Sequence, residues 1–218
     1  MPDFDSLRQT MVDTQLRTNK ITDQRLLMAM GAIPRENFAP SDRSSLAYID
    51  EDIPIGSGRC MIEPMVLAKM IQATGIKSDD VVLDVASGTG YSAAVFSQIA
   101  RAVVALESES DLVIKSSEQM IELGMDNVVV ERGPIECGWP DEAPYDVIFV
   151  NGACGDVPEI YFDQMSEGGR LCAVRTVPNG VGLANLCTKR NGMVSSRPLF
   201  DANIPSLPEL QREVGFTF

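Results

Sequence analysis

The sequence predicts one α/β domain built on a doubly wound, mostly parallel sheet, and three observations favour it. A length of 218 residues suits one domain of this class and is short for two. From Val81 onward, strand-like apolar runs alternate with helical patterns. A glycine-rich loop follows the first of these runs, at the carboxyl end of a strand, where such sheets bind ligands. We expect residues 1–75 to form a helical N-terminal extension and residues 76–218 a ligand-binding core.

The extension contains three predicted helices. Apolar residues recur at intervals of three or four in FDSLRQTMVDTQLR, and TDQRLLMAM continues this pattern. The second helix should end before Pro34, because the residue preceding a proline is disfavoured in the helical region. The third should run from Pro64, a proline suited to a first helical turn, to Gly75, a glycine suited to the position after the last turn.

The core elements follow in order along the chain. The predicted strands are VVLDVA, RAVVALE, NVVVE, YDVIFV and GGRLCAV, and the predicted helices are YSAAVFSQIA, SDLVIKSSEQMIELG and VPEIYFDQM, the last entered through Asp156. Beyond them, ANLCTK and GMVSSRPLF flank Asn191-Gly192, a dipeptide typical of tight hairpins, which predicts an antiparallel pair at the end of the sheet. The tail ANIPSLPEL predicts a loop, and GFTF a last strand or edge.

Composition excludes several classes of function. Eighteen Lys and Arg against 31 Asp and Glu give a net charge of −13, which disfavours nucleic acid and anionic lipid as partners. The polar N-terminus does not match a signal peptide, and no apolar run approaches the roughly 18 residues of a membrane span. Five widely spaced cysteines without a C-x-x-C pair favour reduced thiols in a cytoplasmic protein, and we expect each of them to be a small buried residue. With no histidine, the sequence lacks the commonest general base and metal ligand, and we predict no metal site.

The loop DVASGTGYSA admits two interpretations. Gly88, Gly90 and Ala93 fit the dinucleotide pattern G-x-G-x-x-A, and Glu107 ends the second strand, where an acid that binds ribose hydroxyls belongs. That motif is weak by itself. A single-domain dehydrogenase of the short-chain type would also carry Tyr-x-x-x-Lys, and none of the four tyrosines has a lysine four positions later.

The second interpretation is a different adenosine cofactor. The spacing Asp84-x-Ala86-x-Gly88-x-Gly90 resembles the first motif of class I S-adenosylmethionine methyltransferases, which have a Rossmann-like fold, and APYDVIFVNGA and MSEGGRLCAV resemble later strands of that class. Both cofactors require the acid at Glu107. The resemblance favours S-adenosyl-L-methionine and implies that the following residues bind it: Asp84, Ala86, Ser87, Gly88, Gly90 and Tyr91 around the methionine part, and Glu107 at the ribose.

A narrower resemblance covers residues 8–175. MVDTQLRTNKITDQRLLMAMGAIPRENFAP followed by LAYIDEDIPIGSG resembles the N-terminal part of protein-L-isoaspartate O-methyltransferases, which carry P-R-E-x-F-x-P and P-I-G-x-G there. Gly138-Trp139-Pro140 matches a G-W-P of the same family. The resemblance implies a methyl-acceptor pocket lined by residues 57–63 and an adenine pocket along Gly133, Pro134 and Ile135.

The chain departs from that family at two places. After P-I-G-x-G the family has Gln, Thr, Ile, Ser, Gln and Pro, whereas this chain has Arg59, Cys60, Met61, Ile62, Glu63 and Pro64. Both hydroxyl side chains are therefore lost, and the serine is the one that the family places near the substrate carboxylate. The second departure is Gly133-Pro134-Ile135, where the family has Gly-Asp-Gly.

The changed acceptor loop leaves several roles open. Arg59 has donors suited to a substrate carboxylate, or it pairs with Glu63 or with the acidic run YIDEDIP that precedes the loop. Glu63 would repel a carboxylate and orient an amine. Cys60 is expected to be a small buried residue without thiolate chemistry. We treat Arg59, Cys60, Ile62 and Glu63 as candidate catalytic positions.

The leading functional prediction is methyl transfer to a carboxylate, of L-isoaspartyl residues in damaged proteins, in which positioning carries most of the catalysis. Two alternatives stay open: a methyltransferase with a small-molecule or amine acceptor, and a cofactor-binding sensor with little catalysis. The partners would be a protein, peptide or small-molecule acceptor, and the sequence does not define the oligomeric state.

Overall fold

The computed structural model describes residues 2–177 and 180–211. Its longer helices are α1 (Phe4–Thr10), α2 (Gln24–Ala32), α3 (Pro64–Thr74), α4 (Tyr91–Ser97), α5 (Ser110–Glu122) and α6 (Glu159–Asp163). Its strands are β1 (Ile53–Gly56), β2 (Arg59–Met61), β3 (Val81–Val85), β4 (Ala102–Glu107), β5 (Val128–Arg132), β6 (Tyr145–Cys154), β7 (Met165–Arg175), β8 (Leu183–Arg190) and β9 (Met193–Asp201).

The predicted sheet is confirmed. In the described part of the chain, seven strands lie in the order β5-β4-β3-β6-β7-β8-β9, and β3 to β7 pair in parallel. The last two strands, β8 and β9, pair antiparallel to their neighbours and form the predicted hairpin, in which Asn191 and Gly192 have φ of +52° and +72°. The strand order runs outward from β3 in both directions, to β4 on one side and to β6 on the other. This change of direction places a ligand crevice at the carboxyl ends of these central strands.

A separate two-stranded hairpin carries the predicted acceptor loop. Strands β1 and β2 pair antiparallel, with Ile53 opposite Met61 and Gly56 opposite Arg59. All three residues of β2 are buried, so β2 is the strand of the hairpin that packs against the rest of the protein. It contacts β6, which places it near the ligand crevice.

The N-terminal extension packs against the sheet rather than standing apart from it. Met11, Val12 and Leu16 belong to the same hydrophobic cluster as the inward side chains of α3, α4 and β3. The predicted first helix begins as α1 and then continues through a π-helical stretch, Met11–Leu16, which places these three apolar side chains on the buried side. The division of the chain at residue 75 stays a prediction.

Three expectations need correction or fall outside the described residues. The helix predicted at VPEIYFDQM is only α6 and begins after Pro158, whose backbone is extended, so Asp156 is not its N-terminal cap. Cys137 is exposed, whereas the other four cysteines are buried and all five are free thiols. The segment GFTF, residues 215–218, lies outside the described residues.

Within residues 2–177 and 180–211, no helix has both the length and the apolar character needed to cross a membrane. The same residues contain no group of three or more His, Cys, Asp or Glu side chains that could hold a metal ion.

Candidate active site

The glycine loop after β3 has a backbone that most side chains would not tolerate. Ala86, Gly88 and Gly90 have φ of +55°, +59° and +94°, in the left-handed region that favours glycine. A Cβ on Gly88 would lie 2.6 Å from Ile55 Cδ1, and one on Gly90 would lie 2.4 Å from Ser116 Oγ. The two glycines therefore allow both the turn and the close packing of β1 and α5 around it.

Asp84 lies near the end of β3, just before the glycine loop, and is fully buried. Its Oδ1 accepts a hydrogen bond of 2.7 Å from Asn151 Nδ2, and its Oδ2 accepts one of 2.7 Å from Ser92 Oγ. Burial raises the pKa of Asp84 to about 7, because removal of a carboxylate from water outweighs the stabilisation from these two bonds. The nearby Glu107 charge acts in the same direction.

Glu107 ends β4, as predicted, and its side chain is fully buried beside the glycine loop. Its Oε2 accepts a hydrogen bond of 2.9 Å from the Gly88 N–H. Its Oε1 accepts bonds of 2.8 Å and 3.2 Å from the N–H groups of Ser108 and Glu109. Three backbone donors thus hold this carboxylate at the place that the sequence predicts for ribose binding.

Arg59 lies against Glu107. Its Nε lies 3.2 Å from each Glu107 carboxylate oxygen, and its Nη2 lies 3.1 Å from Oε1. The same guanidinium donates from Nη2 to Glu209 Oε1 at 2.7 Å and to Ser108 Oγ at 2.9 Å, and from Nη1 to Glu209 Oε2 at 3.1 Å. Burial alone would lower the pKa of Arg59, but the bonds to Glu209 and Glu107 outweigh burial and raise it.

This placement corrects both sequence interpretations of Arg59. Its side chain is 1% exposed and is held by Glu107 and Glu209, so it neither extends into the acceptor pocket nor pairs with Glu63. The reason is that Arg59 begins β2, whose residues face inward, at the level where β4 ends.

Cys60 and Ile62 continue the acceptor loop as buried side chains, 8% and 3% exposed. Burial raises the pKa of the Cys60 thiol to about 12, in agreement with the expectation that it is not a thiolate. The Ile62 carbonyl accepts a hydrogen bond of 2.8 Å from Arg35 Nη2, and Arg35 Nε donates to the Ala47 carbonyl at 2.7 Å. Arg35 therefore joins the backbone of the acceptor loop at Ile62 to the backbone at Ala47.

Glu63 lies just before α3, half-buried, among other carboxylates. Its N–H donates to Asp52 Oδ1 at 2.8 Å, and the Met65 N–H donates to Asp50 Oδ1 at 3.2 Å. Burial raises the pKa of Glu63, and the charges of Asp50 and Asp52 raise it further. The entrance to the acceptor loop is thus acidic.

A small cavity of about 10 Å³ lies between the acceptor loop and the glycine loop. Such a volume accommodates about one water-sized sphere. Within the described part of the chain, the buried Ser87 Oγ beside it has no hydrogen-bond partner. The cavity is lined by Ile55, Cys60, Met61, Ile62, Leu67, Ser87, Thr89, Tyr91, Ser92 and Asn151.

Tyr91 and residues 133–135 flank this centre. Tyr91 is buried at the start of α4, with the Arg35 guanidinium 4.6 Å from its ring centroid. The Gly133 N–H donates to the Glu107 carbonyl at 3.1 Å, so the chain segment stays beside the predicted ribose acid. Ile135 is fully buried in the second hydrophobic cluster, and Pro134 is exposed. The adenine-lining role of the three residues stays a prediction.

Several residues of the centre were not predicted from the sequence. Asn151 follows the apolar run of YDVIFV, and the rule that selected Glu107, a polar residue at the carboxyl end of a buried strand, would also select it. Ser92 lies one residue after the predicted Tyr91. Glu209 carried no signal, because it stands 150 residues from Arg59 in a tail predicted to be a loop.

Comparison with known proteins identifies the family. The family model described as Protein-L-isoaspartate(D-aspartate) O-methyltransferase (PCMT) matches residues 6–201, most of the chain. The chain belongs to this family. The resemblance given by the N-terminal motifs is therefore confirmed, and so is the fold of this protein-L-isoaspartate O-methyltransferase family.

Two relatives are similar in sequence to this family member over most of its length. It is 41% identical, over 84% of its own length and 75% of the relative, to protein-L-isoaspartate O-methyltransferase 2 of Anaeromyxobacter sp. (strain Fw109-5). It is 35% identical, over 97% and 98% of the two chains, to a protein-L-isoaspartate O-methyltransferase of Methylorubrum populi.

Two solved structures have a similar fold. A protein-L-isoaspartate O-methyltransferase superposes with a TM-score of 0.81 at 25% identity, over 94% of this chain and 67% of that one. A putative protein-L-isoaspartate O-methyltransferase of Plasmodium falciparum, solved in complex with S-adenosyl-L-homocysteine, gives a TM-score of 0.78 at 23% identity, over 96% and 100% of the two chains.

Proposed function

We propose that this family member is an S-adenosyl-L-methionine-dependent O-methyltransferase whose acceptor is the carboxylate of an L-isoaspartyl residue in a protein or peptide. The observation that carries the proposal is the shared cavity: Ile62 of the acceptor loop and Ser87 of the glycine loop line the same space. A cofactor held on the glycine loop would present its methyl group to an acceptor bound at residues 57–63.

The residues around the glycine loop fit this cofactor. The left-handed backbone at Gly88 and Gly90 lets a ligand approach the chain closely, because no side chain intervenes. Ser87 Oγ, which has no hydrogen-bond partner among the described residues, offers a donor and an acceptor. We assign the methionine part to Asp84, Ala86, Ser87, Gly88, Gly90 and Tyr91, the ribose hydroxyls to Glu107, and the adenine to Gly133, Pro134 and Ile135. When bound, the cofactor supplies an electrophilic methyl group on a sulfonium.

The chain's own contribution would be positioning and exclusion of water. An aspartyl-type carboxylate is ionised at neutral pH, so the acceptor needs no general base, in keeping with a chain that has no histidine. The buried apolar side chains of Met61 and Ile62 would keep water from the reacting atoms. The missing hydroxyl at position 62 removes one hydrogen bond to a charged group, which corresponds to a rate loss of roughly 10- to 150-fold.

A second acceptor class is favoured by one observation. Glu63 lies among Asp50 and Asp52 at the entrance to the acceptor loop, and these carboxylates repel an acidic peptide and attract an ammonium group. An amine or a small cationic molecule is therefore the alternative acceptor.

We further propose one domain over residues 1–218, located in the cytoplasm, where the five free thiols would stay reduced.

The test is transfer of labelled methyl from S-adenosyl-L-methionine to an isoaspartyl peptide, with the matching aspartyl peptide as control. A second pair of isoaspartyl peptides, one flanked by lysines and the other by glutamates, measures the effect of the acidic entrance on methyl transfer. The proposal predicts base-labile label on the isoaspartyl peptides alone, more of it on the lysine-flanked one.

Three other outcomes would contradict the proposal in different ways. Base-stable label on an amine would support the second acceptor class. Cofactor binding without transfer to any acceptor would support a sensor role. A folded protein that binds neither S-adenosyl-L-methionine nor its product would refute methyl transfer altogether.

A further inference from the structure

The C-terminal strap, which we define as residues 202–210, lies along the carboxyl end of β6, where Ser206 forms an isolated parallel bridge with Ala153. Its Leu207 N–H donates to the Ala153 carbonyl at 2.8 Å, and its Pro205 and Leu210 carbonyls accept from Ala153 and Gly155 at 2.9 Å and 2.8 Å. The strap is therefore fixed along the end of β6, beside the ligand crevice.

Two glycines allow the strap to approach this closely. A Cβ on Gly152 would lie 2.5 Å from Leu207 Cγ, and a Cβ on Gly58 would lie 3.1 Å from Pro208 Cγ. The strap thus packs on β6 and on the turn of the acceptor hairpin at once. Glu209, the next residue, is the strap's contact with Arg59.

Arg59 joins three parts of the site that are distant in the sequence. It begins β2 of the acceptor hairpin, it holds Glu107 at the end of β4, and it holds Glu209 of the strap. Ser108 completes the group, since its Oγ accepts from Arg59 and donates to Glu209 Oε1 at 3.1 Å. One guanidinium therefore lies between two carboxylates.

The hydrogen-bonding capacity of Glu107 is filled in this arrangement. A carboxylate offers about four lone-pair sites. The Glu107 oxygens already accept from the backbone N–H groups of Gly88, Ser108 and Glu109 and from two nitrogens of Arg59. The three backbone donors leave about one of these sites, on Oε2, and Arg59 Nε lies 3.2 Å from that oxygen, so a ribose hydroxyl could bind there only at the position that Arg59 takes.

We propose that Arg59 gates the cofactor site: the ribose hydroxyls and Arg59 compete for Glu107, and when the cofactor binds, Arg59 releases Glu107 and keeps its bonds to Glu209 of the strap. This inference rests on the proposed function. Because Cys60, Met61 and Ile62 follow Arg59 directly in β2 and beyond it, the same movement couples cofactor loading to the shape of the acceptor pocket.

Arg59 is thus a positioning residue that sets cofactor affinity, and two substitutions should change that affinity in opposite directions. Arg59→Gln removes the competitor, and the three backbone N–H groups still hold Glu107. Glu209→Gln leaves Arg59 on Glu107 but removes the carboxylate that would still hold Arg59 after it releases Glu107. Glu209 lies at the surface, with 29% of its side chain exposed, so this second variant tests the inference even where Arg59→Gln does not fold.

The experiment is calorimetric titration of the purified chain with S-adenosyl-L-homocysteine and with its 2′-deoxy analogue. Arg101→Gln and Glu122→Gln serve as charge-matched controls, since both residues are exposed and lie away from the crevice, before β4 and at the end of α5. We expect Arg59→Gln to bind S-adenosyl-L-homocysteine at least about 10-fold more tightly than the wild-type chain and Glu209→Gln to bind it several-fold more weakly. The gain should shrink for the 2′-deoxy analogue.

The outcomes separate this inference from the proposed function. If the wild-type chain binds S-adenosyl-L-homocysteine, and Arg59→Gln binds it equally or more weakly, the gate is refuted and the methyltransferase stands. An equal gain for the 2′-deoxy analogue, or a gain in Glu209→Gln, also refutes the gate. Folded wild-type and variant chains that both fail to bind refute the proposed function, and the gate with it.

Discussion

Asn151 Nδ2 donates to Asp84 Oδ1 at 2.7 Å, across two neighbouring parallel strands of the sheet. The amide also donates to the Val85 carbonyl at 3.2 Å, so it joins β6 to the base of the glycine loop at two points. Since Asp84 is fully buried, this bond and the one from Ser92 are what make a carboxylate tolerable there.

The first prediction concerns the effect of pH on stability through Asp84. Its folded-state pKa of about 7 is raised above the ordinary value of 3.8. The folded protein therefore holds a proton that the unfolded chain releases, and the stabilisation from Asp84 is complete below pH 3.8 and lost as pH rises through 7. Asp84→Asn should thus gain stability relative to the wild-type chain between pH 5 and pH 8, by roughly 3 kcal/mol.

Urea denaturation of both proteins at several pH values measures this difference. Asp111→Asn is the control, because Asp111 is exposed at the start of α5. A difference between Asp84→Asn and the wild-type chain that stays constant from pH 5 to pH 8 would contradict the prediction.

The second prediction separates backbone strain from steric contact at the glycine loop. Gly88 and Gly75 have the same φ, +59°, but a Cβ at Gly88 would lie 2.6 Å from Ile55, whereas a Cβ at Gly75 would meet no atom of the described residues within 4 Å. Gly75→Ala should therefore cost about 1 kcal/mol, from strain alone. Gly88→Ala should cost roughly 1–3 kcal/mol more, from the displaced Ile55 side chain.

The same pair of variants also tests the cofactor site. Binding of S-adenosyl-L-homocysteine should be retained in Gly75→Ala and strongly weakened in Gly88→Ala, because only the second changes the loop that we assign to the cofactor. Equal losses of stability and binding in the two variants would refute the steric argument.

The sequence predicted the parts of the site that local patterns encode. Gly88, Gly90 and Glu107 were found because tight turns and strand ends have short signatures that need no knowledge of the rest of the fold. The order of helices and strands followed for the same reason, from hydrophobic periods and turn residues.

The network around Arg59 could not be predicted in the same way. Its partners Glu107 and Glu209 stand 48 and 150 residues away, so the pairing depends on how the sheet and the strap fold together. The sequence suggested Glu63 or the acidic run before it as a partner, but β2 buries Arg59 between Glu107 and Glu209. Arg35 is similar: its hydrogen bonds go to backbone carbonyls, which no side-chain pattern reveals.

The third prediction concerns Arg35, whose fully buried guanidinium bonds the carbonyls of Ala47 and Ile62. Arg35→Met fills the space but leaves two buried carbonyls without donors, which should cost roughly 2–5 kcal/mol. Arg25→Met is a matched control, because Arg25 Nη2 also donates to a carbonyl, that of Ile76 at 2.7 Å, but its side chain is 48% exposed. The control should lose less than about 1 kcal/mol, since water can replace the donor. Chemical denaturation measures both, and equal losses would contradict this account of Arg35.

The fourth prediction tests the lost hydroxyl at position 62, where the side chain lines the cavity and is 3% exposed. Ile62→Ser removes buried apolar volume and should cost roughly 2–5 kcal/mol of stability, as should Ile62→Ala. Only the serine adds a donor for an acceptor carboxylate, so methyl transfer to an isoaspartyl peptide should rise about 10-fold or more in Ile62→Ser and stay near the wild-type rate in Ile62→Ala. The measurement is the initial rate of methyl transfer by each variant and by the wild-type chain, at a temperature where all three are folded. A similar rise in the two variants would attribute the gain to added space, and no rise in either would favour an acceptor other than isoaspartate.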